Sequence, residues 1–327
     1  MLRRVPGEIF NLDNVTVLSL RSNLLVELPS AIGKLRRLVE LNIANNNLHF
    51  LPYEILQMFS EPSKLHSLTW HPNPFYEPDI PEASPYKGGE PYPPDLRDGV
   101  LSQTGRPGAV SSGLPENSPK WNVKYRFRSE VRFMHVDGTL AKGPSFPRDE
   151  SLFSASGHQH NPLSYSYGVG RTNVIKPAAP GDVPEPPRGS SFLKSDRAPK
   201  APSLLELTLQ AWSRYSGLPD LIDWLGEEPP ERLARILKDA KVLKEMEADS
   251  RKCTICQRRF VIPRTEWLEW WQISRAQKNR QFASAASPLR LMENRRDQVE
   301  SMVPFIRRGC SWRCLPDKVP LDDYEGG

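Results

Sequence analysis

Several kinds of residue are scarce in this 327-residue chain, and each shortage excludes a class of protein. Four cysteines do not suggest a secreted scaffold held by disulfides, so we expect a reducing compartment, the cytoplasm or also the nucleus. No apolar run approaches the length of a membrane span, and no signal peptide is evident. Hydrophobic residues make up 38% and prolines number 33, which is poor material for one large core.

Strong charge and a catalytic motif are missing as well. A net charge of +5 and a pI near 9.0 permit nucleic acid as a partner but are too mild to identify one. No set of acid, base and nucleophile has a spacing that catalysis requires, so the sequence predicts a protein that is not an enzyme.

What is present begins with a repeat in residues 5–75. It follows the leucine-rich-repeat pattern, which predicts short strands with inward leucines and a turn asparagine that bonds backbone groups. A third strand copy arrives 27 residues after the second, at residues 65–73. The 23-residue length and the Leu-Pro-x-x-Ile turn resemble the intracellular Ras-associated class of these repeats. Residues that recur at the 23-residue spacing are Pro6, Pro29 and Pro52, Ile9, Ile32 and Ile55, Leu18 and Leu41, Leu20 and Ile43, and Asn23 and Asn46.

Strand residues that alternate with the inward ones should line the concave face of the solenoid. We interpret this face as a site for a protein partner, because extended concave surfaces are what solenoids offer. The alternative is an ordinary solvated face. The residues are Val17, Ser19 and Arg21, then Glu40, Asn42 and Ala44, and then Ser67, Thr69 and His71.

Composition divides the chain into four parts: repeats at 1–76, a mostly disordered Pro-rich linker at 77–202, a helical four-cysteine module at 203–316, and a tail at 317–327. The linker has too few aliphatic residues to offset its chain entropy. We therefore expect an α/β protein with a short solenoid, a long linker and a small helical zinc-binding domain. Because the chain opens within the end of a repeat and without a capping element, we also expect an N-terminal truncation.

An island at 121–135 interrupts the linker with the alternation of a strand. One interpretation is a strand that docks on a sheet edge or on the C-terminal domain. The other is a nucleic-acid site, in which the aromatic residues stack bases beside the basic ones. The alternating residues are Trp121, Val123, Tyr125 and Phe127 on one face, and Asn122, Lys124, Arg126 and Arg128 on the other.

Helices are predicted after the linker. Ser203 and Glu206 have the spacing of a capping box that opens an apolar helix. Further helical segments follow at 221–225 and at 230–243, and we expect the three helices to pack together.

The third helix leads into a candidate metal site. Cys253 and Cys256 form a Cys-x-x-C pair, and Cys310 and Cys314 form a second pair. No histidine lies beyond His160, so four thiolates would complete a closed, structural zinc site. Redox chemistry at the first pair, or unbound thiols, are the alternatives.

Between the two pairs lies a tryptophan-rich segment. Trp267, Trp270 and Trp271 have the spacing i, i+3 and i+4, which predicts one face of a short helix. We expect this face to form the core of the zinc domain, with an exposed aromatic patch as the alternative. Residues 274–300 are net basic and would form an excursion between the pairs.

The order of these motifs resembles the family of leucine-rich-repeat-containing protein 58 and its fungal relatives. The resemblance rests on the repeats, on Pro-Ser-Leu-Leu-Glu-Leu at 202–207, on the Cys-x-x-C pair, and on Val-Pro-Phe-Ile at 303–306 before the last two cysteines. It implies that the helix from Ser203 is similar to a BC-box, by which substrate receptors of cullin ubiquitin ligases bind elongin C. Ser203, Leu204, Leu207 and Thr208 would make that contact, whereas Trp212 departs from the expected aliphatic residue. The alternative is that this helix packs on the zinc module.

Taken together, the sequence predicts a monomeric, non-enzymatic intracellular adaptor for signalling. A substrate receptor of a ubiquitin ligase, with elongin C as partner, is a second interpretation. A nucleic-acid-binding protein is a third and less favoured one, and no membrane partner is expected.

Overall fold

The structure is a computed structural model that describes residues 1–60, 62–79, 121–146, 173–179, 181–187, 202–214, 251–275 and 302–316, with some positions between 230 and 245. Strands predominate among them, and the helices are few. No helix in these ranges is long and apolar enough to cross a membrane. Among the described residues, the strands are β1 (Val17–Ser19), β2 (Glu40–Asn42), β3 (Leu51–Pro52), β4 (Ser67–Thr69), β5 (Glu77–Pro78), β6 (Trp121–Arg128), β7 (Arg132–Met134), β8 (Leu140–Lys142), β9 (Val174–Ile175), β10 (Thr265–Arg275) and β11 (Met302–Gly309). The α-helices with described bounds are α1 (Glu54–Gln57) and α2 (Leu204–Arg214), and the described positions between 233 and 245 are helical as well.

The repeated residues form three stacked coils. β1, β2 and β4 are parallel neighbours in one sheet, and Leu18, Leu41 and Leu68 lie opposite one another. The predicted spacings of 23 and 27 residues are therefore confirmed as the strand register. Pro6 and Pro29 precede the 3-10 turns Gly7–Asn11 and Ser30–Lys34, because a fixed proline φ suits the start of a helical turn.

The repeated asparagines hold the turns that follow the strands, as the pattern predicts. Asn46 is 1% exposed and donates to the backbone carbonyls of Leu20 and Ile43, each at 3.0 Å. Asn23 donates to the same carbonyl of Leu20, and Asn73 to that of Ile43. Since each carbonyl accepts from the asparagines of two coils, these amides tie one coil to the next.

A second, mixed sheet joins the C-terminal strands to the coils. Its order is β3-β11-β10-β7-β8, and β6 also pairs with β10. β10 and β11 are antiparallel over eight residue pairs, whereas β3, the Leu-Pro corner of the third coil, lies parallel to β11. Ile273, Val303 and Phe305 share one buried cluster with the leucines of the coils. The two predicted end domains therefore have a common core.

The three tryptophans lie on strand β10, so the predicted short helix is wrong. Trp267 packs with Phe133, Trp270 packs with Phe127, and Trp271 borders the core of the coils. A register irregularity between Trp270 and Trp271 breaks the simple alternation of the strand. The i, i+3, i+4 spacing of the tryptophans therefore occurs on a long β-strand. Aromatic residues favour extended backbone, and the three rings pack against three different groups of residues.

Part of the predicted linker is ordered within this assembly. The strand predicted at 121–135 is confirmed as β6 and β7, which pair with β10. β8 and β9 also lie in the predicted linker, and Phe146 and Ile175 are buried against Trp270 and Ile306. β5, which opens the predicted linker, pairs with β9, and the described part of the linker is 77–79, 121–146, 173–179, 181–187 and residue 202; its other positions lie outside the described residues. β6 therefore docks on the C-terminal strands, as one of the two interpretations holds.

The aromatic and basic residues of β6 are largely used inside the molecule. Phe127 is 6% exposed, and Trp121 packs against Phe59 at 4.9 Å between ring centroids. Arg128 is 2% exposed and forms an ion pair with Asp182 at 3.5 Å. This arrangement does not favour base stacking on the strand. The predicted basic excursion beyond 275 lies outside the described residues.

Helix α2 is the first of the three helices predicted after the linker. Ser203 Oγ accepts the N–H of Glu206 at 3.1 Å, as a capping residue does. The segment at 221–225 is outside the described residues, but the described positions of the third helix pack against α2. The shared cluster contains Leu209, Trp212, Ile236, Leu237, Ala240, Val261 and Ile262.

Candidate metal centre

The first half of the centre is the turn from Cys253 to Gln257. The N–H of Gln257 donates to the Cys253 carbonyl at 3.0 Å, and the N–H of Cys256 points to the Cys253 Sγ at 3.4 Å. Gln257 adopts a left-handed φ of 61°, which reverses the chain and lets Cys253 donate to the Arg258 carbonyl at 2.8 Å. This knuckle directs both thiols to the same side.

The second half follows directly from strand β11. Gly309 ends the strand where the chain passes so closely that an added Cβ would lie 2.6 Å from the Cys314 carbonyl oxygen and against the Thr265 hydroxyl. Thr265 donates to that same carbonyl at 2.9 Å, and the Cys314 N–H donates to Ser311 at 3.0 Å. A glycine is required here because of this close approach, and it sets the position of Cys310 and Cys314.

The four thiols meet at one point, as the sequence predicts. Every pair of sulfur atoms lies within 4.8 Å, and no disulfide joins them. Cys256 and Cys310 are 3.4 Å apart, and both Cys310 and Cys256 lie 3.7 Å from Cys314. A tetrahedral zinc site with zinc–sulfur bonds of about 2.3 Å has sulfur atoms about 3.8 Å apart, so the observed spacing fits this ion.

The electrostatics of the cluster also favour a cation. Hydrogen bonds from the thiols of Cys310 and Cys314 lower the pKa of Cys253, so one thiolate forms readily. The hydrogen bonds that Cys310 and Cys314 donate to that thiolate raise the pKa of Cys310 and raise the pKa of Cys314 to about 11, because a thiol that donates must keep its proton; a second negative charge beside the first is also unfavourable. A bound metal ion would remove this conflict, since its charge stabilises all the thiolates together.

A buried chain of ion pairs connects the centre to the coils, and sequence reasoning missed it. Arg308, two residues before Cys310, lies between Glu27 of the second coil at 2.7 Å and Glu266 of β10 at 2.8 Å. Arg132 reaches the other Glu266 oxygen at 3.4 Å. Burial by itself raises the pKa of Glu266, but Arg308 and Arg132 outweigh it and hold that pKa below its usual range.

Two further contacts fix β11 against the first knuckle. The Thr254 N–H donates to the Arg308 carbonyl at 3.0 Å, and Arg307 donates to the Thr254 carbonyl at 3.1 Å. Arg307 also pairs with the buried Glu269 at 2.9 Å. Charged residues inside otherwise apolar strands were the available signal for these contacts, because buried charges are seldom present without a partner.

Helix α2 braces the knuckle from another side. The Glu206 carboxylate accepts the N–H groups of Val261 at 2.6 Å and Ile262 at 3.2 Å, and Gln210 donates to the Arg259 carbonyl at 3.0 Å. The predicted capping box is therefore only half formed, because the Glu206 side chain bonds to the segment after Cys256 instead of turning back. Burial raises the pKa of this carboxyl group.

The predicted contact residues of α2 lie on its outer face. Leu204 is 81% exposed and Leu207 is 47% exposed, and Ser203 and Thr208 are exposed as well. Trp212, by contrast, is 6% exposed and packs within the chain. The helix thus packs on the cysteine module with one face while its other face carries the predicted contact residues.

The predicted concave residues lie along the outer side of the three-stranded sheet, with one exception. Ala44 is 4% exposed, so its predicted place on an accessible face is wrong. Its methyl group is short, and its N–H is bonded to the Asn42 side chain at 3.1 Å within the turn. Of the others, Val17, Ser19, Arg21, Glu40, Thr69 and His71 are exposed, and Asn42 and Ser67 are half-buried.

No protein-family profile matches the chain, and no curated protein matches its sequence. A solved structure of a leucine-rich-repeat protein from Leptospira interrogans is similar over a segment, with 43% identity and a TM-score of 0.20. The match covers 22% of this chain and 17% of the Leptospira protein.

Proposed function

We propose that this protein is a non-enzymatic adaptor whose leucine-rich repeats bind a protein partner and whose four cysteines hold a structural zinc ion. The observation that carries the proposal is the meeting of four thiols at tetrahedral spacing beside β10 and β11, two strands that share the buried core of the repeats. The donor set favours zinc because four thiolates suit this ion and leave no position for a catalytic water. Free cysteines agree with a reducing compartment, the cytoplasm or the nucleus.

The metal part of the proposal is tested with cobalt. Titration of Co²⁺ into the metal-free full-length protein is expected to give the intense visible bands of a tetrahedral tetrathiolate site, and Zn²⁺ is expected to abolish them by displacement. Cys253→Ser should weaken binding and alter the bands, whereas Ile255→Ala, which changes a 40% exposed residue within the same knuckle, should leave them unchanged. Octahedral cobalt spectra or no binding would contradict a four-thiolate site.

The adaptor part is tested on the concave face. Ser19 and Thr69 are exposed on β1 and β4, so Ser19→Arg and Thr69→Arg add bulk and charge without changing the core. Quantitative affinity purification with the full-length protein should lose the same partners in both variants. Lys64→Glu, an exposed change outside these strands, serves as the control. Equal partner sets in all variants would contradict binding by this face.

A substrate receptor of a cullin-type ubiquitin ligase is the second candidate, and it rests on the resemblance to the leucine-rich-repeat-containing protein 58 family. The exposure of Leu204 and Leu207 favours it, because a BC-box must present its leucine side chain to elongin C. The burial of Trp212 counts against it, since that position is used inside the chain. Purified elongin C should bind the full-length protein and lose binding to Leu204→Ala; no binding would remove this candidate.

A further inference from the structure

The four thiols of the candidate metal centre are not equally accessible. Cys253 is 0% exposed and Cys314 is 4% exposed, whereas Cys256 and Cys310 are half-buried. Cys256 also follows Ile255, which is 40% exposed on the knuckle. A small reagent that arrives from solvent therefore meets Cys256 and Cys310 before it meets the other two thiols.

The two accessible thiols also lie close to each other. The Cys256 and Cys310 sulfur atoms are 3.4 Å apart, and a disulfide bond is about 2.05 Å long, so a movement of about 1.4 Å would join them. Each of these sulfur atoms is farther from Cys314, at 3.7 Å. The two cysteines are 54 residues apart in sequence, so a bond between them would link the knuckle to the end of β11.

Contacts outside the thiols hold the two halves of the centre in this position. The Thr254 N–H and hydroxyl both donate to the Arg308 carbonyl, at 3.0 Å and 3.2 Å. Arg307 donates in turn to the Thr254 carbonyl at 3.1 Å. The approach of Cys256 to Cys310 is therefore supported by the backbone as well as by the thiols themselves.

The buried thiols are also less suited to react first. The Cys253 sulfur accepts the N–H of Cys256 at 3.4 Å, and the Cys314 sulfur lies 3.4 Å from the Ser311 hydroxyl. A hydrogen bond to a thiolate draws electron density from the sulfur and makes it a weaker nucleophile. Access and electron density together favour Cys256 as the first sulfur to react with an oxidant.

We propose that Cys256 and Cys310 form a site of reversible oxidation, at which a peroxide converts two zinc-binding thiolates into a disulfide bond. The Cys256 thiolate attacks one oxygen of hydrogen peroxide, the O–O bond breaks, and a sulfenic acid forms as hydroxide leaves. The Cys310 thiolate then attacks the Cys256 sulfur, the S–O bond breaks, and a second hydroxide leaves. Two protons from solvent turn both hydroxides into water, so the peroxide gains the two electrons that the sulfur atoms lose.

The inference rests on the proposed zinc centre and adds a way in which it is regulated. Cys253 and Cys314 alone supply only half of the ligands of a closed zinc site, so the oxidised protein should release the ion. The new bond would still connect the knuckle to β11 and would restrain the unfolded chain. A dithiol returns the two electrons by thiol–disulfide exchange and regenerates the site.

Peroxide treatment of the zinc-loaded full-length protein tests the proposal. Hydrogen peroxide is small enough to reach a half-buried sulfur atom that bulkier thiol reagents do not reach. Zinc release is followed with a coloured chelator, and the disulfide is located by tryptic mapping. Cleavage after lysine and arginine places Cys253 and Cys256 on peptide 253–258, Cys310 on 309–313, and Cys314 on 314–318.

We expect one zinc ion to be released for each disulfide formed, and peptide 253–258 to be linked to 309–313. Fragmentation should place the link at Cys256, and dithiothreitol with Zn²⁺ should restore the metal. A main link at Cys253, at Cys314 or within peptide 253–258 would overturn the proposal. Zinc that stays bound at a peroxide concentration that oxidises a free-cysteine peptide would overturn it as well.

Two variants form a matched pair, because each removes one thiol from the centre. Cys310→Ala should leave Cys256 as a sulfenic acid that dimedone traps, whereas Cys314→Ala should still form the link between Cys256 and Cys310. Equal products in both variants would contradict the proposed pair. Circular dichroism shows whether each variant folds, and the mapping of the unchanged protein decides the question if one does not.

The failure of this inference is distinguishable from the failure of the proposed function. A protein that carries no zinc before peroxide is added contradicts the proposed function. A zinc-loaded protein that gives a different oxidation product contradicts this inference alone.

Discussion

The coils and the mixed sheet behind them are built from the same kinds of apolar side chain, yet they differ in how their contacts are spaced along the chain. In the coils, each strand pairs with one 23 or 27 residues away, and the same residue types recur at each contact. In the mixed sheet, β10 pairs with β6 and β11, and β11 pairs with β3 from the third coil. The coils are a local structure repeated, while the sheet is assembled once from distant segments.

This difference predicts how each region depends on its polar groups. The coils have several equivalent asparagines, so one loss is shared among neighbouring turns. The mixed sheet relies on single, unrepeated devices: the cysteine centre, Gly309 and the ion pairs around Arg308. We therefore expect changes in the sheet to have larger effects than equivalent changes in the coils.

The largest effect is expected at the metal centre. Cys253→Ser removes a fully buried thiol of the proposed zinc site, and a structural zinc site contributes on the order of 10 kcal/mol to folding. The variant should lose zinc and the cooperative thermal unfolding of the mixed sheet, as followed by metal analysis and circular dichroism. Ile255→Ala is the control within the knuckle. Retention of the wild-type melting temperature by the cysteine variant would contradict a stabilising centre.

The ion pair between the two regions should come next. Glu27→Ala leaves Arg308 buried with Glu266 alone, which Arg132 already shares, and such a loss costs about 3 kcal/mol of unfolding free energy. Urea denaturation of the full-length protein measures the loss. Glu40→Ala, an exposed glutamate in the same coils, should change stability by less than about 0.5 kcal/mol. Equal stability of the two variants would show that the ion pair between Glu27 and Arg308 does not stabilise the contact between the coils and the mixed sheet.

A smaller effect is expected within the coils. Asn46→Ala leaves buried backbone groups of two turns without their partner, which costs about 2 kcal/mol. Asn23 is half-buried, so Asn23→Ala should cost less by the same urea measurement. The decisive result is which variant loses more unfolding free energy. A larger loss in Asn23→Ala than in Asn46→Ala would show that burial does not determine how much these asparagines stabilise the turns.

The smallest effect is expected for the change in unfolding free energy at acid pH that depends on Glu266. The pKa of Glu266 is lower in the folded protein than its ordinary value of 4.5, because the arginines stabilise its charge. Its contribution to stability is therefore complete above about pH 4.5 and is lost as the pH falls through the folded pKa. Urea denaturation between neutral and acid pH should show this fall, and Glu266→Gln should make it shallower. An unchanged acid dependence in that variant would contradict the assignment.

The repeat region could be predicted because its information is local. The spacing of Pro29 to Pro52 and of Asn23 to Asn46 identifies equivalent turns without any knowledge of distant residues. Likewise, the four cysteines form two close pairs, and no histidine follows His160, so a metal site near these pairs has to be an all-cysteine site. The meeting of Cys253 with Cys314 was therefore expected before the structure was known.

The mixed sheet could not be predicted in the same way, because strand pairing depends on partners far along the chain. Trp267, Trp270 and Trp271 match a helical face, and only pairing with β11 and β6 makes extended backbone the better solution. The partners of Glu206 and Arg308 are also distant along the chain. The sequence therefore shows that these two residues are charged but does not show which groups they bind. A charge within an apolar segment predicts a partner without identifying it.

The measurement that tests the proposed zinc centre most directly is the metal content of the full-length protein as purified, combined with titration of its thiols. We expect one zinc per chain and thiols that react only after chelation, since all four cysteines would be ligands. A metal-free protein with four reactive thiols, or one with disulfides, would contradict it.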